Sequence, residues 1–383
     1  MAGYLIKRVV MMAITFFLFQ ALTYFIIDAQ PGDIADLLAN NPDIPPSERQ
    51  VLREELGLDK PPLQRFATYV GNFYQGDMGV SFVQYPRPVA DIIVERLPRT
   101  LLLFVTASVT AGWAGFVTGK ILAWKRGGWV EHTSTVVGVT LYTVFTPWFG
   151  LMMIWLFAVQ LDLLPAGKFL SPIKWLGTDV SANDVFMALI ITATIALFFV
   201  LIGVLASNRA RPRFRLPLRI LTLVLSLTGF ILYWGTNGLG VFAWDIVSHT
   251  ILPVLTITLI AYGGYMLLTR TSMLETLKED YILTARAKGL SAKTIRDKHA
   301  ARTALLPVWT GLIFAIGFAV SGGVVTEVVF SWPGMGLTLL NSALVADIPV
   351  ALGALTVFGI MVLVAHLVAD IGYAFLDPRI RYH

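Results

Sequence analysis

The 383-residue sequence contains no cysteine. That excludes a disulfide framework, a Cys-ligated zinc or iron–sulfur site and a thiol nucleophile. Charge is scarce: Asp, Glu, Lys and Arg make up 14% of the residues, against about 25% in a soluble domain. The five histidines are scattered, and Glu131-His132 reads as a loop pair rather than part of an H-E-x-x-H, so no histidine metal cluster is indicated. Gly112–Lys120 sets glycines before a lysine, but the spacing is not that of a phosphate-binding loop, and Ile121 replaces the hydroxyl residue. No G-x-S-x-G nucleophile elbow occurs. Internal repeats, low-complexity tracts and any separate soluble domain are also missing.

What is abundant is apolar surface. Hydrophobic residues make up 56% of the chain, and the mean hydropathy is +0.72. A soluble fold could not bury so much; a bilayer can. A spanning helix needs roughly 20 mostly apolar residues. Eight segments qualify: 9–27, 101–123, 134–159, 185–206, 217–235, 248–268, 304–326 and 350–375. The first follows Lys7-Arg8 and could be a signal peptide, but it is too long for a typical h-region and Ile27-Asp28-Ala29 is a poor cleavage site. It reads as a retained span. The expectation is an all-α integral membrane protein, a polytopic bundle of about eight helices.

The net charge of +5 could suggest nucleic acid, but its placement points to membrane orientation instead. With the N-terminus inside and eight alternating spans, 20 of the 29 Lys and Arg lie on the cytoplasmic side. Both termini then lie there too. Seven of the other nine fall in the long 28–99 loop, where charge weighs less. That loop is too long for an incidental connection. Ser47-Glu48-Arg49-Gln50 reads as a capping box opening a short helix, with Val51, Leu52 and Leu56 on one face and Gly57 at its end. Pro61-Pro62 can start a second helix, with Phe66, Tyr69, Val70 and Phe73 at helical spacing. An ordered extracytoplasmic cap over 28–99 is expected, then a core over 100–383.

The loop between the sixth and seventh spans, about 270–303, is the most informative. Helix formers are expected to carry a helix from Arg270 to Lys288. Gly289 can take the left-handed conformation that ends it. Ser291 is a good N-cap for a following short helix, and Leu290 and Ile295 stand at the places of a hydrophobic staple. The segment is basic, so on charge alone it serves either anionic lipid or a soluble partner.

Asp280–Pro307 resembles the EAA loop of ABC importer permeases of the dipeptide/oligopeptide type. Tyr281, Thr284, Ala285, Arg286, Ala287, Lys288, Gly289, Leu290 and Ser291 match that pattern, as do His299, Ala300, Arg302, Ala304, Leu305 and Pro307. Ala301 and Thr303 depart from the usual Leu and Asn. Other motifs agree in order: Leu56–Pro61, Gly76–Ser81, Leu97-Pro98-Arg99-Thr100, Glu327–Gly336 and Leu376–Arg381.

The resemblance implies a transport subunit in the cytoplasmic (inner) membrane, with no catalytic site and no cofactor of its own. Its partners would be a second homologous permease, two ATP-binding subunits carrying ATP and Mg, and an extracytoplasmic substrate-binding protein. Asp280, Tyr281, Thr284, Ala285, Arg286, Ala287, Lys288, Gly289, Leu290, Ser291 and His299 would couple it to the ATPases. Peptides are the implied cargo; relatives also move nickel complexes, oligosaccharides and peptide-like antibiotics. Such permeases usually have six spans, so 185–235 is an added hairpin, whose turn Arg209–Arg219 carries five Arg. Its role is left between packing on the core and contact with lipid.

Two further features are read locally. Gly115–Gly119 is a G-x-x-x-G, whose usual meaning is close helix packing. His366 and Asp370, four apart, share a face of the last span; an anchoring contact to a basic partner is favoured over a proton relay. A membrane-embedded enzyme lacks any recognisable nucleophile–base or metal pattern here. An ion-coupled secondary transporter would want intramembrane charges and inverted repeats.

Overall fold

The computed structural model describes residues 2–29, 60–319 and 323–376, with a few positions between 45 and 51. The Leu52–Asp59 segment, Asp377–Arg381, and Glu48 and Arg49 of the expected capping box lie outside the described residues. In order the helices are α1 (Ala2–Asp28), α2 (Pro62–Tyr74), α3 (Val89–Trp124), α4 (Trp129–Thr143), α5 (Thr146–Ile154), α6 (Pro172–Trp175) and α7 (Ala182–Arg209). Then come α8 (Pro212–Thr236), α9 (Gly240–Thr276), α10 (Asp280–Ala287), α11 (Ala292–Gly317), α12 (Val324–Val329), α13 (Met335–Leu344) and α14 (Ile348–Leu376). Among the described residues the β-pairing is limited to an isolated bridge between Val80 and Pro88. Among the described residues seven helices are long and apolar enough to cross a membrane, eight if one bent pair counts as a single span. The protein is an all-α polytopic membrane protein.

Six of the eight expected spans are single helices. The third, expected as one run over 134–159, is bent by 102° between α4 and α5. Pro147 explains the break: it has no N–H to donate, and its ring would meet the carbonyl four residues back, at Thr143. Val144 accordingly leaves the helix with φ −63° and ψ 141°. The seventh was expected to reach residue 326. Its helix stops at Gly317 and Val324–Val329 forms a short helix of its own.

The chain divides into two compact units, one of residues 1–153 with 253–383 and one of 154–252. In the first unit, Val89, Ile92 and Ile93 of α3 form a buried core with Met335 of α13 and Val350, Ala354 and Val357 of α14. Farther along α3, Ala111 packs with Tyr265 of α9 and Val308 of α11. The G-x-x-x-G is a close approach of α3 and α9. A Cβ on Gly115 would lie 2.6 Å from the Tyr265 Cβ, and one on Gly119 2.8 Å from the Thr269 Cβ. The expected second cap helix is α2, opened by Pro62 at its first turn. Its apolar face docks through Phe66 onto Tyr24 of α1 and Leu352 of α14. Tyr69 shares a 2.9 Å hydrogen bond with Thr356, and Arg65 pairs with Asp28 at 3.1 Å.

In the second unit, α7 and α8 make the added hairpin. Ser181 caps α7 by accepting from the Asp184 N–H at 3.3 Å. Ser226 Oγ of α8 donates to the Ala196 carbonyl of α7 at 2.9 Å, and Trp234 Nε1 donates to Thr192 Oγ1 at 3.2 Å. Asp245, fully buried, gathers the segment before the hairpin. It accepts from the Ser171 N–H, Ser171 Oγ and Lys174 Nζ, each at 2.8 Å, and from Trp175 Nε1 at 3.0 Å.

Candidate functional site

The segment after α9 was expected to continue as helix to Lys288. Instead α9 stops at Thr276, and a turn over Leu277–Glu279 starts α10 at Asp280. Glu279, at φ −67° and ψ 144°, is the extended residue before the new helix. The end of α10 is a complete Schellman turn. Gly289 N–H donates to the Arg286 carbonyl at 2.9 Å, and Leu290 N–H donates to the Ala285 carbonyl at 3.3 Å. That closure needs a left-handed residue, and Gly289 has φ +72°. Ser291 then caps α11, its Oγ accepting from the Thr294 N–H at 3.3 Å. The expected short second helix is thus the first turn of α11, joined to it through a wide turn at Ile295–Ala300. Of the expected staple pair, Ile295 is buried and Leu290 exposed.

One face of this hairpin is core. Ile282 and Ala285 pack with Ile295, Ala300, Ala301 and Ala304 against Ala123 of α3 and Met273 of α9. Among the residues singled out in the sequence, Ala285 therefore faces inward. Tyr281 and His299 are half-buried, and Tyr281 Oη lies 3.0 Å from Thr303 Oγ1. Asp280, Thr284, Arg286, Ala287, Lys288, Gly289, Leu290 and Ser291 are exposed, so these eight form the free edge of the turn.

Two ion pairs tie this region to the spans, and sequence reasoning missed both. Asp297 bridges Arg296, at 2.8 Å, and Lys120 at the end of α3, at 3.1 Å. Glu131, expected as part of an inert loop pair, is 4% exposed in α4 and accepts from Arg270 of α9, the Nε contact measuring 3.0 Å. It also accepts from the Gly127 N–H at 2.5 Å. A lone charge on an otherwise apolar helix was the available signal, since it must find a partner once buried.

At the other end of α3 lie three further family-like motifs, Gly76–Ser81, Leu97–Thr100 and Glu327–Gly336. Gly76 and Gly79 of the G-D-M-G-V-S stretch have φ +87° and +78°, and Asp77 closes the turn by accepting from the Gly79 N–H at 2.8 Å. Ser81 then hydrogen-bonds the buried Asp347, which also accepts from the Phe82 N–H at 3.0 Å. Thr100 donates to Glu327 at 2.6 Å and receives the Met335 N–H at 2.7 Å. Glu327 in turn accepts from the Leu337 N–H at 2.8 Å. A side chain on Gly334 would run into Glu327 and Thr100, which explains the glycine after Pro333. Glu327 is wholly buried, and that burial raises its carboxyl to about 7 despite the hydrogen bonds that oppose the shift.

His366 and Asp370 share a face of α14. Asp370 pairs with Arg8 of α1 at 2.9 Å, the basic anchor favoured for it, here within the chain. His366 Nδ1 lies 2.8 Å from the Val362 carbonyl, and its ring sits 4.7 Å from that of Phe314.

Comparison with known proteins decides the family. Residues 199–382 match the model of the binding-protein-dependent transport system inner membrane component, and residues 1–104 match the N-terminal model of the same membrane component. The chain belongs to this family. Similarity to individual members runs the whole length. The dipeptide transport system permease protein DppB of Escherichia coli K12 is 31% identical over 386 residues, covering 100% of this chain and 99% of the relative. The di/tripeptide transport system permease protein DppB of Pseudomonas aeruginosa is 32% identical over 382 residues, with 100% and 99% covered. The oligopeptide transport system permease protein AppB of Bacillus subtilis is 30% identical over 382 residues, with 100% of both covered. As a family member the chain is a multi-pass inner membrane permease subunit without a catalytic site of its own. It works with an ATPase and a substrate-binding protein.

Proposed function

We propose that this permease carries di- and oligopeptides, paired with a second homologous permease above two ATP-binding subunits that hold ATP and Mg. The peptide cargo rests on the full-length similarity to permeases of dipeptide, di/tripeptide and oligopeptide systems. Coupling rests on one observation: the exposed edge 286–291 is closed by a Schellman turn while its other face is buried against α3 and α9. A push on that edge moves two spans as a body, because the packed alanines and Ile282 leave no slack. The test is uptake of a labelled dipeptide into proteoliposomes holding the complete importer. Uptake should require internal ATP and the binding protein. Uptake driven by an ion gradient without ATP overturns the reading.

Both termini are proposed to be cytoplasmic, with the Arg209–Arg219 turn and the 280–300 hairpin on the same side. Asn208→Cys should therefore resist a membrane-impermeant thiol reagent in intact cells, while Gln84→Cys, in the loop before α3, should label. Labelling at position 208 with silence at position 84 inverts the orientation.

A further inference from the structure

The added hairpin carries a charge pattern that its own packing does not use. Between Asp184 and Asp245 the sequence has no Asp, Glu or Lys, yet it has five Arg, all between Arg209 and Arg219. Every one of the five is exposed. Arg219 donates to Ser207 Oγ at 3.1 Å and to Asn208 Oδ1 at 2.7 Å, and Arg215 Nε donates to the Ala210 carbonyl at 3.1 Å. Arg213 lies 4.7 Å over the ring of Phe214. Among the described residues none of the five has an acidic partner to compensate its positive charge.

The flanking surface says where these arginines stand. The most apolar stretch of α8 has none of its residues buried, and Leu216, Ile220, Leu223, Leu227 and Ile231 are all more than half exposed. A helix so apolar and so uncovered has hydrocarbon as its natural neighbour. The turn that ends such a helix lies at headgroup depth, where phosphates are. Arginine is the cation best suited to them, since its planar fork donates two parallel hydrogen bonds to phosphate oxygens.

We infer that the Arg209–Arg219 turn is a binding site for the phosphate of an anionic phospholipid, with Arg211, Arg213 and the terminal nitrogens of Arg215 as its donors and the apolar face of α8 receiving the acyl chains. The inference is independent of peptide cargo and of coupling through the 280–300 hairpin.

The test uses the purified full-length chain in a non-ionic detergent. A fluorescent phosphatidylglycerol is titrated against it, with the matching phosphatidylcholine as comparison. Wild type should prefer phosphatidylglycerol, and potassium chloride should weaken that binding. The variant Arg211→Gln/Arg213→Gln/Arg215→Gln should lose roughly 100-fold in affinity, the sum of three cations near an anionic surface. Lys125→Gln/Arg126→Gln, at the exposed end of α3, should keep the wild-type affinity. The triple variant retains Arg209 and Arg219, and a cysteine at position 208 reports whether its hairpin still inserts as in wild type. Should it not, the salt dependence and the lipid preference of the wild type decide alone. Equal affinity for both lipids, an unchanged affinity in a correctly inserted triple variant, or displacement of the lipid by millimolar inorganic phosphate overturns the proposal; the last outcome would mark a site for soluble anions.

Discussion

Gly289→Val is expected to leave the permease inserted and folded while cutting ATP-driven uptake by at least about ten-fold. Gly289 has φ +72°, and a Cβ there would meet nothing within 4 Å. The penalty is therefore conformational. A side chain in the left-handed region costs roughly 1–2 kcal/mol, and a β-branched one is a genuine outlier there. The chain escapes by giving up the left-handed turn, and with it the bonds from Gly289 to Arg286 and from Leu290 to Ala285. The exposed edge then points elsewhere, although Ile282 and Ala285 stay packed. ATP hydrolysis by the assembled complex should become uncoupled from uptake, or the complex should fail to assemble. Gly289→Asn is the matched control. Asparagine tolerates the left-handed region, so most transport should survive. Arg286→Glu reverses a charge on the same exposed edge and should act like the valine variant. Wild-type uptake at normal ATP stoichiometry in Gly289→Val would remove the hairpin from the coupling path.

Loss of the Glu131–Arg270 pair should have the largest effect on stability. Glu131 is 4% exposed and Arg270 26% exposed by side chain. Removing one member of a buried pair leaves an uncompensated charge and costs about 3–5 kcal/mol; the partial exposure of Arg270 places this pair near about 3 kcal/mol. Glu131→Ala should lower the thermal midpoint of the purified protein sharply and reduce its yield. Glu131→Ala also frees the Gly127 N–H, but Arg270→Ala strands the more deeply buried of the two charges, so it should cost at least as much. The combined variant should lose less than the sum, because the second substitution removes a charge already stranded by the first. Additive losses in that double-mutant cycle would show that the two side chains act separately. A second readout is uptake: this pair joins α4 to α9 close to the start of the 280–300 hairpin, so surviving Glu131→Ala protein should transport more slowly per ATP consumed.

Local features were legible in the sequence, because adjacent residues generate them. Apolar length set six of the eight spans, since a bilayer accepts a backbone only where its hydrogen bonds close internally. Gly289 and Ser291 marked the turn and the cap of the hairpin, because left-handed φ and N-capping depend on a few neighbouring residues. Pro62 opened α2 for the same kind of reason. Tertiary structure decided the rest. The 102° bend at Pro147 was hidden by an apolar run that looked continuous on both sides of it, and the stop of α9 at Thr276 was hidden by good helix formers. Glu131 and Arg270 are separated by 139 positions, Thr100 and Glu327 by 227, and Ser81 and Asp347 by 266. Each of these polar side chains had to be satisfied once buried. Which residue satisfied it depended on which helices the fold brought together, a choice made by packing across the whole chain.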